Sequence, residues 1–167
     1  EEIGPYYASE AYVSHSDSQK GIINSLYHII RKRTLKHKRK LVAKFTKKTH
    51  GSILDIGCGT GAFLAEMKTN GWQTTGLEPD VTARENAFKL HRIQPLLPEV
   101  LFSLPQESFD AITLWHVLEH VHDVQGYMKQ CHSLLKEKGK LFIAVPNYKS
   151  HDAEVYGDAW AAYDVPR

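Results

Sequence analysis

Two patterns of hydrophobic and polar positions divide the chain near residue 50. Between residues 22 and 45, apolar side chains recur at the three- and four-residue spacing of an amphipathic helix. From residue 51 the pattern changes to short apolar runs that alternate with helical stretches, each closed by Gly, Pro or Asn. This alternation is typical of βαβ units, which build a parallel sheet covered by helices.

The second pattern predicts five strands and the helices between them. Strands are expected over residues 52–56, 72–77, 93–97, 109–115 and 140–145, and Pro95 weakens the third of them. Helices are expected over residues 62–70, 82–90 and 123–135. Because crossovers between parallel strands are right-handed, helices should cover both faces of the sheet. The fold class is therefore α/β.

The helix before residue 50 carries much of the positive charge of the chain. Its predicted apolar side consists of Ile22, Leu26, Ile29, Ile30, His37, Leu41 and Phe45, and the opposite side carries Arg31, Lys32, Lys38 and Arg39. Ten of the 21 Lys and Arg residues lie at positions 31–48, although the net charge is only +2. A basic helix can bind nucleic acid or an anionic membrane, but a solvated face is the simpler interpretation. No aromatic residues interleave the lysines, so nucleic acid is not an expected partner.

Length and composition fit one ordinary globular domain of 167 residues, 42% of them apolar and 24% charged. The apolar runs are far shorter than the roughly 20 residues of a membrane span, so no span is expected. Cys58 and Cys131 form no CxxC pair, which excludes a disulfide framework and favours the reducing cytoplasm. The chain starts without Met and ends on Pro166 and Arg167, which suggests a piece of a longer protein.

The clearest chemical signal is the sequence ILDIGCGTG at residues 53–61, where a predicted strand meets three alternate glycines. A ligand can approach the backbone of Gly57, Gly59 and Gly61 because no Cβ stands in the way. The N-terminus of the next helix offers free N–H groups to a carboxylate or phosphate. Glu78 ends the second strand, where a carboxylate can accept both hydroxyls of a ribose. Together these features predict a nucleoside cofactor.

The glycine spacing alone leaves the choice of cofactor open. Gly57, Gly59 and Ala62 also satisfy the dinucleotide fingerprint, with Ala at its third place. A nicotinamide-linked Rossmann oxidoreductase is therefore one alternative. A non-catalytic module that keeps the cofactor site is another.

Five motifs in order decide between these alternatives: LDIGCGTG, GLEPD, SFDAI, HVLEHV and LLKxxGxLxI. With them the sequence, over about residues 50–147, resembles the class I methyltransferases that use S-adenosylmethionine. Within that class it is most similar to the small-molecule branch of the ubiquinone-biosynthesis type. The resemblance implies a Rossmann-like methyltransferase fold with strand order 3-2-1-4-5 and with the last two of the usual seven strands missing.

The resemblance also implies a cofactor, S-adenosylmethionine, with S-adenosylhomocysteine as product. The cofactor-binding residues that it implies are Asp55, Gly57, Cys58, Gly59, Gly61, Glu78, Pro79, Leu101 and Trp115. The glycines would bracket the methionine part, Asp55 would approach its amino group, and Glu78 would hold the ribose. Many relatives carry an Asp near adenine, where this chain has Pro98, Glu99 and Val100. A positive group is also needed for the cofactor carboxylate, for which Arg33 is a candidate.

Histidines after the fourth predicted strand supply the candidate catalytic residue. His116, Glu119 and His120 match the H-x-x-E-H spacing of some zinc proteases, but they follow a β-type run, so no metal is expected. Ligands of α/β sheets bind at the carboxyl ends of the strands, which is where His116 lies. An imidazole, with an ordinary pKa of about 6.5, can act as a base at neutral pH. Glu119 and His120 are expected to have a structural role at the start of a helix.

Three segments follow from these interpretations. Residues 1–50 form an aromatic arm with Tyr6, Tyr7 and Tyr12 and the basic helix, which would act as a lid. Residues 51–147 form the cofactor-binding core, and residues 148–167 form a tail that contributes to the acceptor site. The acceptor is expected to be a small molecule, methylated on O, N or C. The bare edge of the fifth strand should be covered by the tail or by a second copy in a homodimer.

Overall fold

The computed structural model describes residues 22–157 and 160, with side chains from residue 28 onward. Its helices are α1 (Ile22–Thr46), α2 (Ala62–Thr69), α3 (Val81–His91), α4 (Val124–Leu134) and α5 (His151–Tyr156). Its strands are β1 (Ser52–Ile56), β2 (Gln73–Leu77), β3 (Phe109–Trp115) and β4 (Leu135–Ala144). Short 3₁₀ helices cover Pro98–Ser103 and Leu118–His120. Tyr6, Tyr7 and Tyr12 lie outside the described residues.

The four strands form one parallel sheet in the order β2-β1-β3-β4. On β1, Asp55 pairs with Gly76 of β2 and with Thr113 of β3. The carboxyl ends of these three strands therefore lie side by side along one edge of the sheet, which we call the carboxyl-end edge. The parallel sheet with intervening helices confirms the predicted α/β class.

The predicted third strand, residues 93–97, is wrong. In the described chain this segment makes only an isolated bridge between Leu96 and Leu77. Leu96 donates its N–H to Gly76 O at 2.8 Å and accepts from Glu78 N at 3.0 Å. Pro95 has no N–H to donate, and a 3₁₀ helix begins at Pro98, so the ladder cannot extend in either direction. The predicted five-stranded order 3-2-1-4-5 is thus reduced to four strands.

Two apolar clusters cover the two faces of the sheet. One contains Val42, Ile53, Phe63, Leu64, Met67 and Trp72, and the other contains Leu54, Leu77, Leu101, Ile112, Leu114 and Leu134. Successive residues of β1 point to opposite faces, so Ile53 and Leu54 join different clusters. Both are fully buried, as expected for a sheet with helices on each side. Both cysteines are buried and free.

Helix α1 packs on the sheet with a different face from the one predicted. Ile29, Ile30 and Phe45, assigned to the buried side, are each about half exposed. The inner face instead carries Arg31, Leu35, Lys38, Arg39 and Val42, and Val42 is fully buried. The prediction was wrong because the inner basic residues find polar partners: Arg39, for example, pairs with Glu66 of α2 at 2.8 Å. The side chains of residues 22–27 are outside the described part.

A polar clamp holds the amino ends of the strands, opposite the edge that carries the glycine motif. Asp110 of β3 accepts hydrogen bonds from Ser52 N at 2.8 Å and from Ser52 Oγ at 3.0 Å. It also accepts from Nζ of Lys48 at 2.5 Å and of Lys136 at 2.9 Å. Although burial opposes it, this set of donors holds the pKa of Asp110 well below its usual range. One carboxylate thereby ties β1, β3, β4 and the segment after α1 together.

β4 is one of the two edge strands of the sheet. It begins earlier than predicted, at Leu135, and ends at Ala144. Near its carboxyl end, Ile143 and Val145 are 41% and 49% exposed. Residues 158, 159 and 161–167 lie outside the described part, so the predicted cover of this edge by the tail or by a second copy stays a prediction. None of the described helices is long and apolar enough to cross a membrane.

Candidate active site

The glycine loop between β1 and α2 has a left-handed backbone at each of its three glycines. The φ angles are 70° at Gly57, 54° at Gly59 and 73° at Gly61, a region that favours residues without a Cβ. A Cβ at Gly57 would collide with Val117, whereas a Cβ at Gly59 would meet no atom within 4 Å. The loop is therefore packed tightly at Gly57 and open at Gly59.

The carboxylate of Glu78, immediately after β2, is hydrogen-bonded to this loop. Its Oε2 accepts from Gly59 N at 2.7 Å, and its Oε1 accepts from Asp80 N at 3.0 Å. The residue is only 7% exposed. Each carboxylate oxygen has a second lone pair, so Glu78 can accept further hydrogen bonds from a ligand. Glu78 therefore lies at the carboxyl end of β2 beside the glycine loop, and its predicted contact with a ribose stays a prediction.

Asp55, near the end of β1, is a second buried carboxyl group below the loop. Thr113 of β3 donates its hydroxyl to Oδ1 at 2.5 Å. Burial raises the pKa of Asp55 to about 7, although the hydrogen bond from Thr113 and the charge of Lys38 act in the opposite direction. The charge at this position therefore changes near neutral pH.

Helix α1 brings two cations to the same edge of the sheet. Nζ of Lys38 lies 4.4 Å from the ring centroid of Trp115, in cation–π geometry. Burial lowers the pKa of Lys38, and the nearby Asp55 carboxylate partly offsets this. Nη2 of Arg31 donates to Oγ1 of Thr60 in the glycine loop at 3.1 Å. The other candidate cation, Arg33, is exposed.

Sequence reasoning missed Arg31 and Lys38 as site residues. The signal that could have found them is their spacing with Leu35 and Val42. Positions 31, 35, 38 and 42 follow the repeat of one helical face, so two cations share a face with two aliphatic residues. The two hydrophobic residues Ile29 and Ile30 instead favoured the opposite face of the helix as the buried one.

Trp115 is the last residue of β3, and His116 follows it directly. Phe63 packs edge-on against the Trp115 indole at 5.8 Å between centroids, and the buried indole N–H has no partner among the described residues. His116 has a left-handed backbone, with φ of 60°, and donates its N–H to Ala144 O at 2.8 Å. Its side chain is 62% exposed, and its Nδ1 lies 3.9 Å from Oε1 of Glu119.

Three further predicted residues lie around this edge. Cys58 is 8% exposed, and burial strongly raises the pKa of its thiol, so the thiol stays protonated. Pro79 is exposed. The side chain of Leu101 is fully buried in the core, and its carbonyl accepts from Gln130 Nε2 at 2.8 Å. The predicted contact of Leu101 with adenine stays a prediction.

The edge thus brings together a glycine loop, two carboxyl groups, two cations, an indole and an imidazole. Across residues 22–157 and 160, no group of three His, Cys, Asp or Glu side chains could hold a metal ion. A parallel sheet with a glycine loop after its first strand and a buried carboxylate after its second defines a Rossmann-like nucleoside-cofactor domain.

Comparison with known proteins narrows this class. Residues 27–167 match the family model of a methyltransferase domain, and the chain belongs to that family. Its resemblance to class I S-adenosylmethionine-dependent methyltransferases is thereby confirmed.

Curated relatives match the chain in sequence, and a solved structure matches it in fold. The chain is 32% identical over 122 residues to a ubiquinone biosynthesis O-methyltransferase of Rhodopseudomonas palustris, covering 69% of this chain and 48% of that protein. The corresponding protein of Vibrio atlanticus is 34% identical, with 66% and 52% covered. A SAM-dependent methyltransferase from Archaeoglobus fulgidus shares the fold, with a TM-score of 0.66, 23% identity, and 82% and 62% covered. The chain spans about half the length of the curated relatives it matches.

Proposed function

We propose that this chain binds S-adenosylmethionine and transfers its methyl group to an oxygen atom of a small molecule, releasing S-adenosylhomocysteine. The observation that carries the proposal is the hydrogen bond between Gly59 and Glu78, which joins the two predicted cofactor elements into one site. Family membership supports methyl transfer. The relatives' names support oxygen as the methylated atom and a small molecule as the acceptor.

The residues at the edge fit this cofactor. A Cβ at Gly59 would meet no protein atom within 4 Å, so a ligand can approach the loop backbone there. Glu78 retains acceptor capacity for the two ribose hydroxyls. Pro79 and the segment that contains Leu101 would lie on the adenine side. Asp55 would support the loop and face the amino group of the methionine part.

The cofactor carboxylate needs a cation, which α1 supplies. Arg31 contacts the loop through Thr60, and Lys38 lies over Trp115 beside Asp55. Both side chains are partly buried, so a charge-assisted hydrogen bond from either is screened less than one on the surface. We assign the carboxylate to these two residues in place of Arg33. This contact would also make α1 part of the lid proposed for residues 1–50.

Methyl transfer requires in-line placement of the reactants and removal of one proton. When bound, the cofactor supplies a sulfonium methyl group: the acceptor oxygen forms a bond to this carbon while the carbon–sulfur electron pair returns to sulfur. His116 would take the hydroxyl proton on its imidazole. Positioning contributes several kcal/mol, and a general base adds about 10²- to 10⁴-fold in rate. The exposed His116 side chain can reach an acceptor from solvent.

The acceptor side of the site would involve residues outside the core. We propose that residues 148–167 contribute to the acceptor site and that the protein works in the cytoplasm. The exposed end of β4 is a surface through which two copies could form a homodimer.

Calorimetry tests the cofactor directly. We expect micromolar binding of S-adenosylmethionine and S-adenosylhomocysteine and none of NAD. Binding of NAD without either sulfur compound would overturn the proposal. Transfer of a labelled methyl group into a small-molecule fraction of cell extract tests turnover. Label found only in protein or nucleic acid would contradict the acceptor class.

A further inference from the structure

Glu119 is a partly buried carboxylate whose surroundings the reaction outlined above does not explain. Its side chain is 14% exposed, and its Oε2 is buried with no hydrogen-bond partner among the described residues. Burying a carboxylate oxygen without a donor costs free energy. His116 brings an imidazole nitrogen to 3.9 Å from the other oxygen, Oε1. The carboxylate therefore lies beside the group proposed as the base.

Backbone hydrogen bonds fix the positions from which the two side chains start. His116 N is bonded to Ala144 O at 2.8 Å, which holds the left-handed turn after β3. The 3₁₀ helix with Glu119 is closed by the bond from His120 N to Val117 O at 2.9 Å. A left-handed backbone at a non-glycine residue is costly and occurs often at functional sites. With the backbone held in this way, the distance between the His116 and Glu119 side chains depends on their side-chain torsions.

The distance of 3.9 Å is too long for a hydrogen bond, but rotation of one side chain can shorten it. The His116 imidazole is 62% exposed, so it can rotate at little packing cost. Catalytic hydrogen bonds are often long in the absence of ligand and shorten when substrate binds. The same turn also lies against the cofactor loop, because Val117 fills the space that a Cβ at Gly57 would need.

We propose that Glu119 positions His116 by accepting a hydrogen bond from its Nδ1–H. This bond holds the tautomer in which Nε2 is free to take the proton of the acceptor hydroxyl, and it stabilises the imidazolium that forms. Glu119 acts through His116 and is a positioning residue. The inference rests on the proposed function, in which His116 is the base. A purely structural role of Glu119 in the 3₁₀ helix, as expected from the sequence, makes different predictions.

A double-mutant cycle separates the two roles. We expect Glu119→Gln to lower the methyl-transfer rate at saturating donor about tenfold, and His116→Ala to lower it about 100-fold or more. In the His116→Ala background, Glu119→Gln should have no further effect, because its action passes through the imidazole. Affinity for S-adenosylhomocysteine, measured by calorimetry, should be unchanged in all three variants. Glu137→Gln, an exposed neutral substitution on β4, is the matched control.

The tautomer of His116 provides a readout that needs no turnover. Nitrogen-15 NMR spectra of the ring should show the proton on Nδ1 in the wild type and a shift towards Nε2–H in Glu119→Gln. Glu119→Asp keeps the charge and should retain the wild-type tautomer. Its spectrum is compared with that of the wild type if Glu119→Gln does not fold. An equal rate loss from Glu119→Gln with and without His116, or an unchanged tautomer, would overturn the inference. Failure of the wild type to bind either sulfur compound would instead overturn the proposed function.

Discussion

Gly59 donates its backbone N–H to Oε2 of Glu78 at 2.7 Å, so the carboxylate that would hold the ribose also holds the glycine loop. We expect Glu78→Ala to weaken S-adenosylmethionine about tenfold or more, because charge-assisted hydrogen bonds contribute about 1.5–3 kcal/mol each. The loss of the bonds from Gly59 and Asp80 should also lower the free energy of unfolding. Calorimetry and urea unfolding measure the two effects.

A control for this prediction lies on α3. Glu85 is exposed and pairs only with Lys89 among the contacts described, at 3.2 Å. Glu85→Ala should change neither binding nor stability by more than a few tenths of a kcal/mol. Unchanged affinity in Glu78→Ala would mean that β2 does not end at the ribose.

Asp55 gives the folded protein a pH dependence near neutrality. Because burial raises the pKa of Asp55 from 3.8 to about 7, the folded state keeps a proton that the unfolded state releases. This contribution to stability is fully present below pH 3.8 and is lost as the pH rises towards 7. Asp55→Asn stays neutral, so the stability of the wild type relative to the variant should fall between pH 4.5 and pH 7.5. Urea unfolding across this range checks the slope, with the exposed Asp152→Asn as control. A pH-independent difference would contradict it.

Asp110 gives the stability of the folded protein a pH dependence of the opposite sign to that from Asp55. Hydrogen bonds from two lysines and Ser52 hold the pKa of Asp110 well below its usual range. Its contribution is therefore present above about pH 4 and is lost as the pH falls towards the lowered value. Asp110→Asn should lower the free energy of unfolding by about 2 kcal/mol at neutral pH, because the buried carboxylate that accepts charge-assisted hydrogen bonds becomes a neutral amide. Lys136→Met should cost less than about 1 kcal/mol, because its side chain is 43% exposed. Equal losses in urea unfolding would mean that Asp110 does not anchor the clamp.

The sequence predicted the sheet and its glycine loop better than the packing of α1. β1 and β3 could be predicted because they are largely apolar and buried, and the glycines stand directly after β1. β2 and the second half of β4 could be predicted from their places in the alternation of strands and helices. The segment 93–97 is also mostly apolar. The sequence pattern does not show how many hydrogen bonds to a neighbouring strand such a segment can make when it contains Pro95. The inner face of α1 could not be predicted from hydrophobicity, because Lys38 buries its stem and places its ammonium over Trp115.

The corrected face of α1 leads to a prediction for Lys38. Lys38→Met keeps the length of the side chain but removes the charge, so S-adenosylmethionine should bind about tenfold more weakly, as expected when one charge-assisted hydrogen bond is lost. The fold should be retained, because Met can pack against Trp115. Lys36→Met, on the exposed side of the same helix, is the matched control. Calorimetry that shows equal affinity in both variants would remove Lys38 from the carboxylate site.

Alanine substitutions at Gly57 and Gly59 distinguish the effect of an added Cβ on stability from its effect on cofactor binding. Both have positive φ, so alanine at either position costs about 1 kcal/mol or more in backbone strain. At Gly57 the added Cβ also collides with Val117, and Gly57→Ala should destabilise the protein by several kcal/mol. At Gly59 the Cβ points into open space, so Gly59→Ala should lose little stability beyond the strain.

Binding should be affected most by the milder of the two substitutions. The open space at Gly59 is where the methionine part of the cofactor is proposed to lie, and a Cβ there would hold the ligand away from the backbone. We therefore expect Gly59→Ala to unfold in urea close to the wild type and yet to bind S-adenosylhomocysteine at least about tenfold more weakly. Gly71→Ala is the control, since it has positive φ and lies in the turn after α2 rather than in the loop. Wild-type affinity in folded Gly59→Ala would place the cofactor elsewhere on this edge.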